Sequence, residues 1–92
     1  MKTYLCTVID DMHYMGCLMR IDDAKITIRL FWKKFTILFE NILSIVVYDD
    51  GWTIGIEYKN IGRVDYIRIR MLRPERLLSI LEAKTSIAPE RP

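Results

Sequence analysis

Hydrophobic and polar residues alternate along most of the chain with the period of a strand that is buried on one face. The alternation is cleanest over residues 25–30, 35–40, 52–59 and 66–71, and it is weaker over 3–9 and 15–21. A β-branched run at 42–48 is expected to be buried on both faces. Polar breakers separate the segments at the spacing of an all-β sandwich or barrel, which predicts about seven short strands.

After residue 73 the period changes to that of an amphipathic helix. Pro74 suits the first helical position, and Glu75 suits the positive end of the helix dipole. The predicted apolar face carries Leu77, Ile80, Leu81 and the stem of Lys84. We therefore predict a fold that is mainly β with one C-terminal α-helix ending near Lys84. A single domain is expected over residues 1–86, followed by a disordered tail at 87–92.

Two stretches resemble bacterial and archaeal domains of the pleckstrin-homology-like (PH-like) superfold: FENILSI at 39–45 and YIRIRMLRPERLL at 66–78. In the first, Ile42 and Ile45 stand where those domains repeat an isoleucine. The second is similar to their last strand, their Pro-Glu helix start and their closing helix. The resemblance implies a seven-stranded antiparallel barrel or sandwich that is capped by the helix.

Lipid-binding PH domains resemble one another in a basic cluster on the first two strands and the loop between them. Here that place carries Asp10, Asp11, Met12 and His13. Carboxylates repel phosphate groups, and Arg20 alone compensates little. Phosphoinositide binding is therefore not expected to carry over from the resemblance.

Composition narrows the classes of function. The chain has 92 residues, 51% of them hydrophobic, with 14 basic and 12 acidic residues. A net charge of +2 is small for a dedicated nucleic-acid-binding protein. The strand-like start differs from a signal peptide, and no apolar run has the length of a membrane span, so we expect a cytoplasmic protein. The chain lacks Gln and has only two Asn, which suggests a thermophilic source.

A metal site could be formed by the two cysteines and the single histidine. Cys6, Cys17 and His13 supply only three ligands without the paired spacing typical of zinc. If Asp11 and Met12 form a turn, the cysteines face each other across a hairpin and could form a disulfide. Free thiols are the preferred prediction, because the expected compartment is reducing.

No residue pattern predicts catalysis or a cofactor. The three Asp-Asp pairs, at 10–11, 22–23 and 49–50, match no calcium loop and are expected to cap turns. Ser44, Ser79 and Ser86 lie outside any nucleophile-elbow motif, and the four glycines form no phosphate-binding loop. The sequence therefore predicts a protein that is not an enzyme and needs no cofactor.

Two groups of residues are candidates for binding a partner. The first is the hairpin tip with Trp32, Lys33 and Lys34. The aromatic rings of this tip could fold inward, or they could dock into a pocket of a partner. The second is an outward stripe of Tyr66, Arg68 and Arg70, which could equally be a solvated face paired to Glu57. These alternatives remain open from the sequence.

The preferred hypothesis is a protein-interaction module. A partner peptide would lie between the run at 42–48 and the helix around 77–84, and self-association through the same strand edge would give a homo-oligomer. The rival hypothesis is electrostatic binding of an anionic membrane or nucleic acid through Lys33, Lys34, Arg68 and Arg70. A ligand-carrying β-barrel ranks last, because the bulky core residues leave little space.

Overall fold

The computed structural model describes residues 2–10, 13–30 and 33–91, in which seven antiparallel strands form one open sheet. The strands are β1 (Lys2–Asp10), β2 (His13–Ile21), β3 (Lys25–Arg29), β4 (Lys34–Leu38), β5 (Ile42–Val47), β6 (Thr53–Asn60) and β7 (Arg63–Arg70). Helix α1 (Pro74–Thr85) follows β7. The predicted fold class is confirmed, and the sheet is an open one.

The order of the strands, β4-β3-β2-β1-β7-β6-β5, puts β4 and β5 at opposite edges of the sheet. A 3-10 turn (Phe39–Asn41) is nevertheless all that joins these two strands, so the sheet has to curl until its edges approach. Helix α1 contacts this turn and closes the corner. The most completely buried side chains come from strands β2 to β7 and from α1: Met19, Ile26, Ile28, Ile37, Ile45, Ile54, Ile56, Ile69, Leu77 and Leu81.

The helix begins at Pro74 and ends at Thr85, one residue beyond the prediction. Its buried side chains include Leu77, Leu78 and Leu81. Ser86 caps it in the left-handed conformation, with its backbone N–H donating to the carbonyl of Glu82 at 2.9 Å. The predicted helix is thus confirmed in position. Its apolar face is confirmed at Leu77 and Leu81, whereas Leu78 is buried in addition, Ile80 is partly buried and Lys84 is exposed.

The strand that is buried on both faces is β6, not β5 as predicted. Leu43 on β5 is 39% exposed, because β5 is an edge strand. Residues 53–56 of β6 are all buried, since β6 lies between two strands and its outer face is covered. Trp52, expected to point inward with β6, precedes the strand and is half exposed.

The expectation of a disordered tail at 87–92 differs from the structure. Glu90 pairs in parallel with Val46: its N–H donates to the carbonyl of Ile45, and its carbonyl accepts from the N–H of Val47, both at 2.8 Å. Ile87 packs against the core. Backbone groups on an edge strand need partners, and this segment supplies two of them to β5.

The preference for free thiols is also corrected, because Cys6 and Cys17 form a disulfide. The register of the β1–β2 pair places them directly opposite each other, with their Cα atoms 5.4 Å apart. That separation is typical of disulfides.

Candidate interaction surface

The structure describes only part of the predicted hairpin tip. Trp32, with its neighbour Phe31, lies outside the described residues. Lys33 is exposed and holds its Nζ atom 4.7 Å from the centre of the Phe35 ring, a cation–π contact. Lys34 is exposed at the start of β4 and pairs in register with Arg29 of β3.

The predicted stripe on β7 does point outward. Tyr66 is 48% exposed, Arg68 is partly buried and Arg70 is exposed. Their partners in the sheet are Glu57 opposite Tyr66 and Thr53 opposite Arg70. The residues at the two ends of this stripe, Tyr66 and Arg70, form side-chain hydrogen bonds with other residues.

At one end, Tyr66 lies across Gly55 and meets Tyr48. The two phenol oxygens are 2.7 Å apart and share a hydrogen bond. Burial, followed by this hydrogen bond, raises the pKa of Tyr66 well above its usual value. A Cβ on Gly55 would collide with the Tyr66 hydroxyl and lie 3.2 Å from Cε1 of Tyr48, so a larger residue here would have to displace the Tyr66 ring.

At the other end, Arg70 donates to the Oδ2 atom of Asp50 at 3.1 Å. The Oδ1 atom of Asp50 accepts from the N–H groups of Trp52 and Thr53 at 2.8 and 2.9 Å. These bonds, led by the one from Trp52, hold the pKa of Asp50 well below its usual value. The predicted role of Asp50 as a turn cap is confirmed. Asp22 caps another turn, because its Oδ1 atom accepts from the N–H groups of Ala24 and Lys25, both at 3.2 Å.

The candidate residues separate into groups. Lys33 and Tyr66 line one cavity of about 210 Å³ at an end of the sheet. Burial, and after it the charge of Asp65, raises the pKa of Tyr58 in the same wall, which keeps that phenol protonated. By contrast, strands β3, β2 and β1 lie between Lys34 on β4 and the two arginines of β7.

A group of large apolar side chains lies exposed on β1 and β2 and next to the ends of β6 and β7. Leu5 and Leu72 are 79% and 81% exposed, and Leu18 and Trp52 are about half exposed. Leu5 and Leu18 are paired directly across β1 and β2. Leu5, Trp52 and Leu72 line a shallow cavity of about 270 Å³, together with Thr7 and Arg70. We call Leu5, Leu18, Trp52 and Leu72 the apolar patch.

Sequence reasoning missed the apolar patch, although a signal was present. Leu5 and Leu18 are the outward residues that weaken the alternation of β1 and β2. Taken with the opposed cysteines, which point inward at the neighbouring positions, they would have placed two leucines side by side on the outer face. Trp52 and Leu72 could not be added without knowing that β7 lies beside β1.

Four basic side chains surround a hollow of about 400 Å³ on the same outer face. They come from three neighbouring strands: Arg20 from β2, Lys25 and Arg29 from β3, and Lys34 from β4. Asp22 is the only carboxylate among the residues described as lining it. We call these four cations the basic hollow, and Arg20 is therefore not the isolated cation that the sequence suggested.

The described residues also bear on metal binding and on membrane insertion. Among the residues whose side chains the structure describes, which do not include Asp10 and His13, no group of three or more His, Cys, Asp or Glu could hold a metal ion. In the same part of the chain, α1 and the 3-10 turn are the helical elements, and neither has the length and apolarity needed to cross a membrane.

Comparison with known proteins supports the fold. No family model and no curated protein matches the chain. Among solved structures, a chain of the Spt16D Pob3N heterodimer matches with a TM-score of 0.73 and 16% sequence identity. The match covers 98% of this chain and 53% of that one, so this chain spans about half the length of its structural relative. At this identity the likeness shows the fold alone, which is PH-like.

Proposed function

We propose that this PH-like chain is a non-enzymatic protein-interaction domain that binds its partner through the apolar patch. The observation that carries the proposal is the exposure of Leu5 and Leu72, at 79% and 81%, with Leu18 paired to Leu5 and Trp52 lining the same shallow cavity. Contiguous apolar surface of this kind is uncommon on a protein that stays alone, and it typically marks an interaction site.

The composition of the patch supports binding to protein. Tryptophan is enriched among the residues that contribute most to protein–protein affinity, and Trp52 lies at the rim of the shallow cavity that Leu5 and Leu72 also line. Arg70 borders the same cavity while it is held by Asp50. An apolar centre with a polar border is the usual organisation of such interfaces.

The structural relative adds a second line of support. It belongs to a heterodimer, so a chain with this fold joins a protein partner in that assembly. We carry over to the present chain only the general use, binding of a protein, and not the identity of the partner.

The groove between β5 and the helix has less support as the binding site. Glu90 already pairs with Val46 on the edge of β5, in the way that an added peptide strand would. A partner would have to displace the chain's own segment before it could bind there.

Homo-oligomerisation through a strand edge remains a secondary proposal, with β4 as the edge. In the described residues β4 pairs only with β3, whereas β5 has both β6 and Glu90. An unpaired edge favours strand addition. Light scattering over a hundredfold range of concentration tests this, and a monomer mass throughout would contradict it.

The rival electrostatic proposal, through Lys33, Lys34, Arg68 and Arg70, is less supported. Arg70 is engaged by Asp50, and three strands lie between Lys34 and Arg68. Those four residues therefore do not form one cationic surface.

Site-specific photo-crosslinking tests the proposed function. A photoreactive amino acid is placed at Leu72 in one variant and at Val64, also exposed on the outer face of β7, in the control. The two positions are eight residues apart on one chain, or about 27 Å along an extended strand. We expect a discrete crosslinked protein from position 72 in extracts of the source cell, and its loss when Leu5→Ser is added.

Equal crosslinking from positions 64 and 72, or none from either, would contradict the proposed function. Circular dichroism of each variant checks that the fold is retained, since neither leucine belongs to the buried core.

Cytoplasmic localisation and a thermophilic source remain proposals, and the disulfide links them. Disulfides are rare in the cytosol of mesophiles but common in intracellular proteins of hyperthermophiles. We therefore expect Cys6 and Cys17 to be oxidised in the native protein and the melting temperature to exceed about 65 °C. Thiol alkylation with mass spectrometry and calorimetry check the two expectations. An oxidised pair with a melt below that temperature would oppose a cytoplasmic location.

A further inference from the structure

We infer that the partner presents an acidic amphipathic segment, whose carboxylates enter the basic hollow while its apolar side chains cover the apolar patch. This inference rests on the proposed function and names the chemistry of the partner. It follows from the charge state of the hollow, from its position next to the patch, and from the features that oppose phosphate ligands.

Within the described residues, the cations of the basic hollow have no side-chain partner. None of the side chains of Arg20, Lys25, Arg29 and Lys34 forms an ion pair or hydrogen bond with another described residue. Arg29 and Lys34 are paired directly across β3 and β4, where like charges destabilise a sheet. An anionic ligand would relieve that repulsion.

The hollow and the patch are continuous. Pairing across four strands aligns Lys34, Arg29, Leu18 and Leu5 in one row. Neighbouring strands are about 4.8 Å apart, so the row is about 14 Å long. About ten residues of helix, or four of extended chain, cover that length. One short segment can therefore place carboxylates at one end of the row and apolar side chains at the other.

A protein segment fits this surface better than a nucleic acid or a membrane. Three of the four patch residues are leucine, so Trp52 is the one aromatic ring of the patch on which a base could stack, whereas binding of a single strand uses successive aromatic rings. Leu5 and Leu18 lie on paired strands within the sheet, not on a protruding loop that could enter a bilayer. The net charge of +2 also gives little long-range attraction for polyanions.

Selection from a random library of 12-residue peptides tests the inference. Three variants are compared with the parent chain. The hollow variant is Arg29→Glu/Lys34→Glu, and the patch variant is Leu5→Ser/Leu72→Ser. The control is Lys59→Glu/Arg76→Glu, which makes the same change in net charge at exposed positions outside the hollow.

We expect the selected peptides to be enriched in Asp and Glu together with Leu, Phe or Trp. Their affinity should fall about tenfold or more in the hollow variant, because like charges then face each other, and change less than about twofold in the control. It should also fall in the patch variant and weaken with salt.

The outcomes separate the two proposals. Peptides that need the patch but are not acidic, and that bind the hollow variant unchanged, would overturn the inference and leave the proposed function in place. Peptides indifferent to the patch variant, or no selected peptides, would overturn both.

A 12-nucleotide single strand and phosphatidylserine vesicles serve as the other anionic probes. If either probe binds more tightly than the peptides, and if its binding is lost only in the hollow variant, the hollow binds phosphate and the inference is wrong.

Discussion

Two basic regions of this sheet differ in how their charges are neutralised. On β7, Arg63 pairs with Asp65 and Arg70 pairs with Asp50, both at 3.1 Å. In the basic hollow, four cations from three strands surround about 400 Å³ without a comparable partner among the described residues. The first region stabilises its own turns, whereas the second is open to a ligand. The count of basic residues does not distinguish them, but the local carboxylates do.

The largest expected effect tests whether the β7 region is held by close packing. Gly55→Ala should lower the free energy of unfolding by about 1–3 kcal/mol, because the new methyl group displaces Tyr66 and its bond to Tyr48. Denaturant titration measures the change.

Gly16→Ala is the matched control, since a Cβ there meets nothing within 4 Å. We expect that substitution to be neutral or slightly stabilising. Equal losses at the two glycines would show that Tyr66 is not packed as described.

The next effect tests the carboxylate that neutralises Arg70. Asp50→Asn should cost about 1–2 kcal/mol near pH 7, because it weakens the cap on Trp52 and Thr53 and the ion pair. The pKa of Asp50 is lowered in the folded state, so its stabilisation is complete above its ordinary pKa of about 3.9 and is lost as the pH falls below it.

The difference in stability between Asp50→Asn and the parent chain should therefore shrink below about pH 4. Thermal melts at pH 7, 5, 4 and 3 check this dependence. A difference that stays constant over that range would mean that the carboxylate charge contributes nothing to the turn.

A smaller effect concerns backbone strain in the hairpin that ends at β7. Ile61 is 99% exposed and has a φ of 44°, in a two-residue turn with Gly62 at 78°. This left-handed turn prefers Asn-Gly, and a β-branched residue is strained in it. Ile61→Asn should raise the free energy of unfolding by about 0.5–1 kcal/mol. A decrease would show that the exposed isoleucine has a stabilising contact.

The smallest expected effect lies in the basic hollow. Arg29→Ser should change the free energy of unfolding by less than about 0.5 kcal/mol, because the side chain is exposed and without an ion-pair partner among the described residues. A gain would reflect relief of its repulsion with Lys34. A loss above about 1 kcal/mol would remove the contrast between the two regions.

Local patterns predicted the elements of the fold well, because each depends on neighbours in sequence. The alternation at 25–30 and 66–71 placed β3 and β7, and Pro74 placed the start of the helix. The resemblance to PH-like domains then supplied the arrangement. The local pattern failed at β5 and β6, since which strand lies at an edge is decided by strand order and not by local composition.

The candidate surface was predicted less well. Tyr66, Arg68 and Arg70 do face outward, but Arg70 is engaged by Asp50, which is twenty residues away in the chain. Trp32 lies outside the described residues, so the structure tests neither of the two alternatives for its side chain. The apolar patch and the basic hollow each combine several strands, so neither leaves one continuous signature in the sequence.

The sequence by itself determined the strand periods, the helix, the turn-capping aspartates and the absence of a recognisable catalytic motif. These follow from propensity and from contacts between residues that are close in the chain. Only the tertiary structure decided the Cys6–Cys17 disulfide, the pairing of Glu90 with β5, and the position of the basic hollow beside Leu18 and Leu5. Those features depend on strand order and register, because residues remote in sequence become neighbours only when the sheet curls.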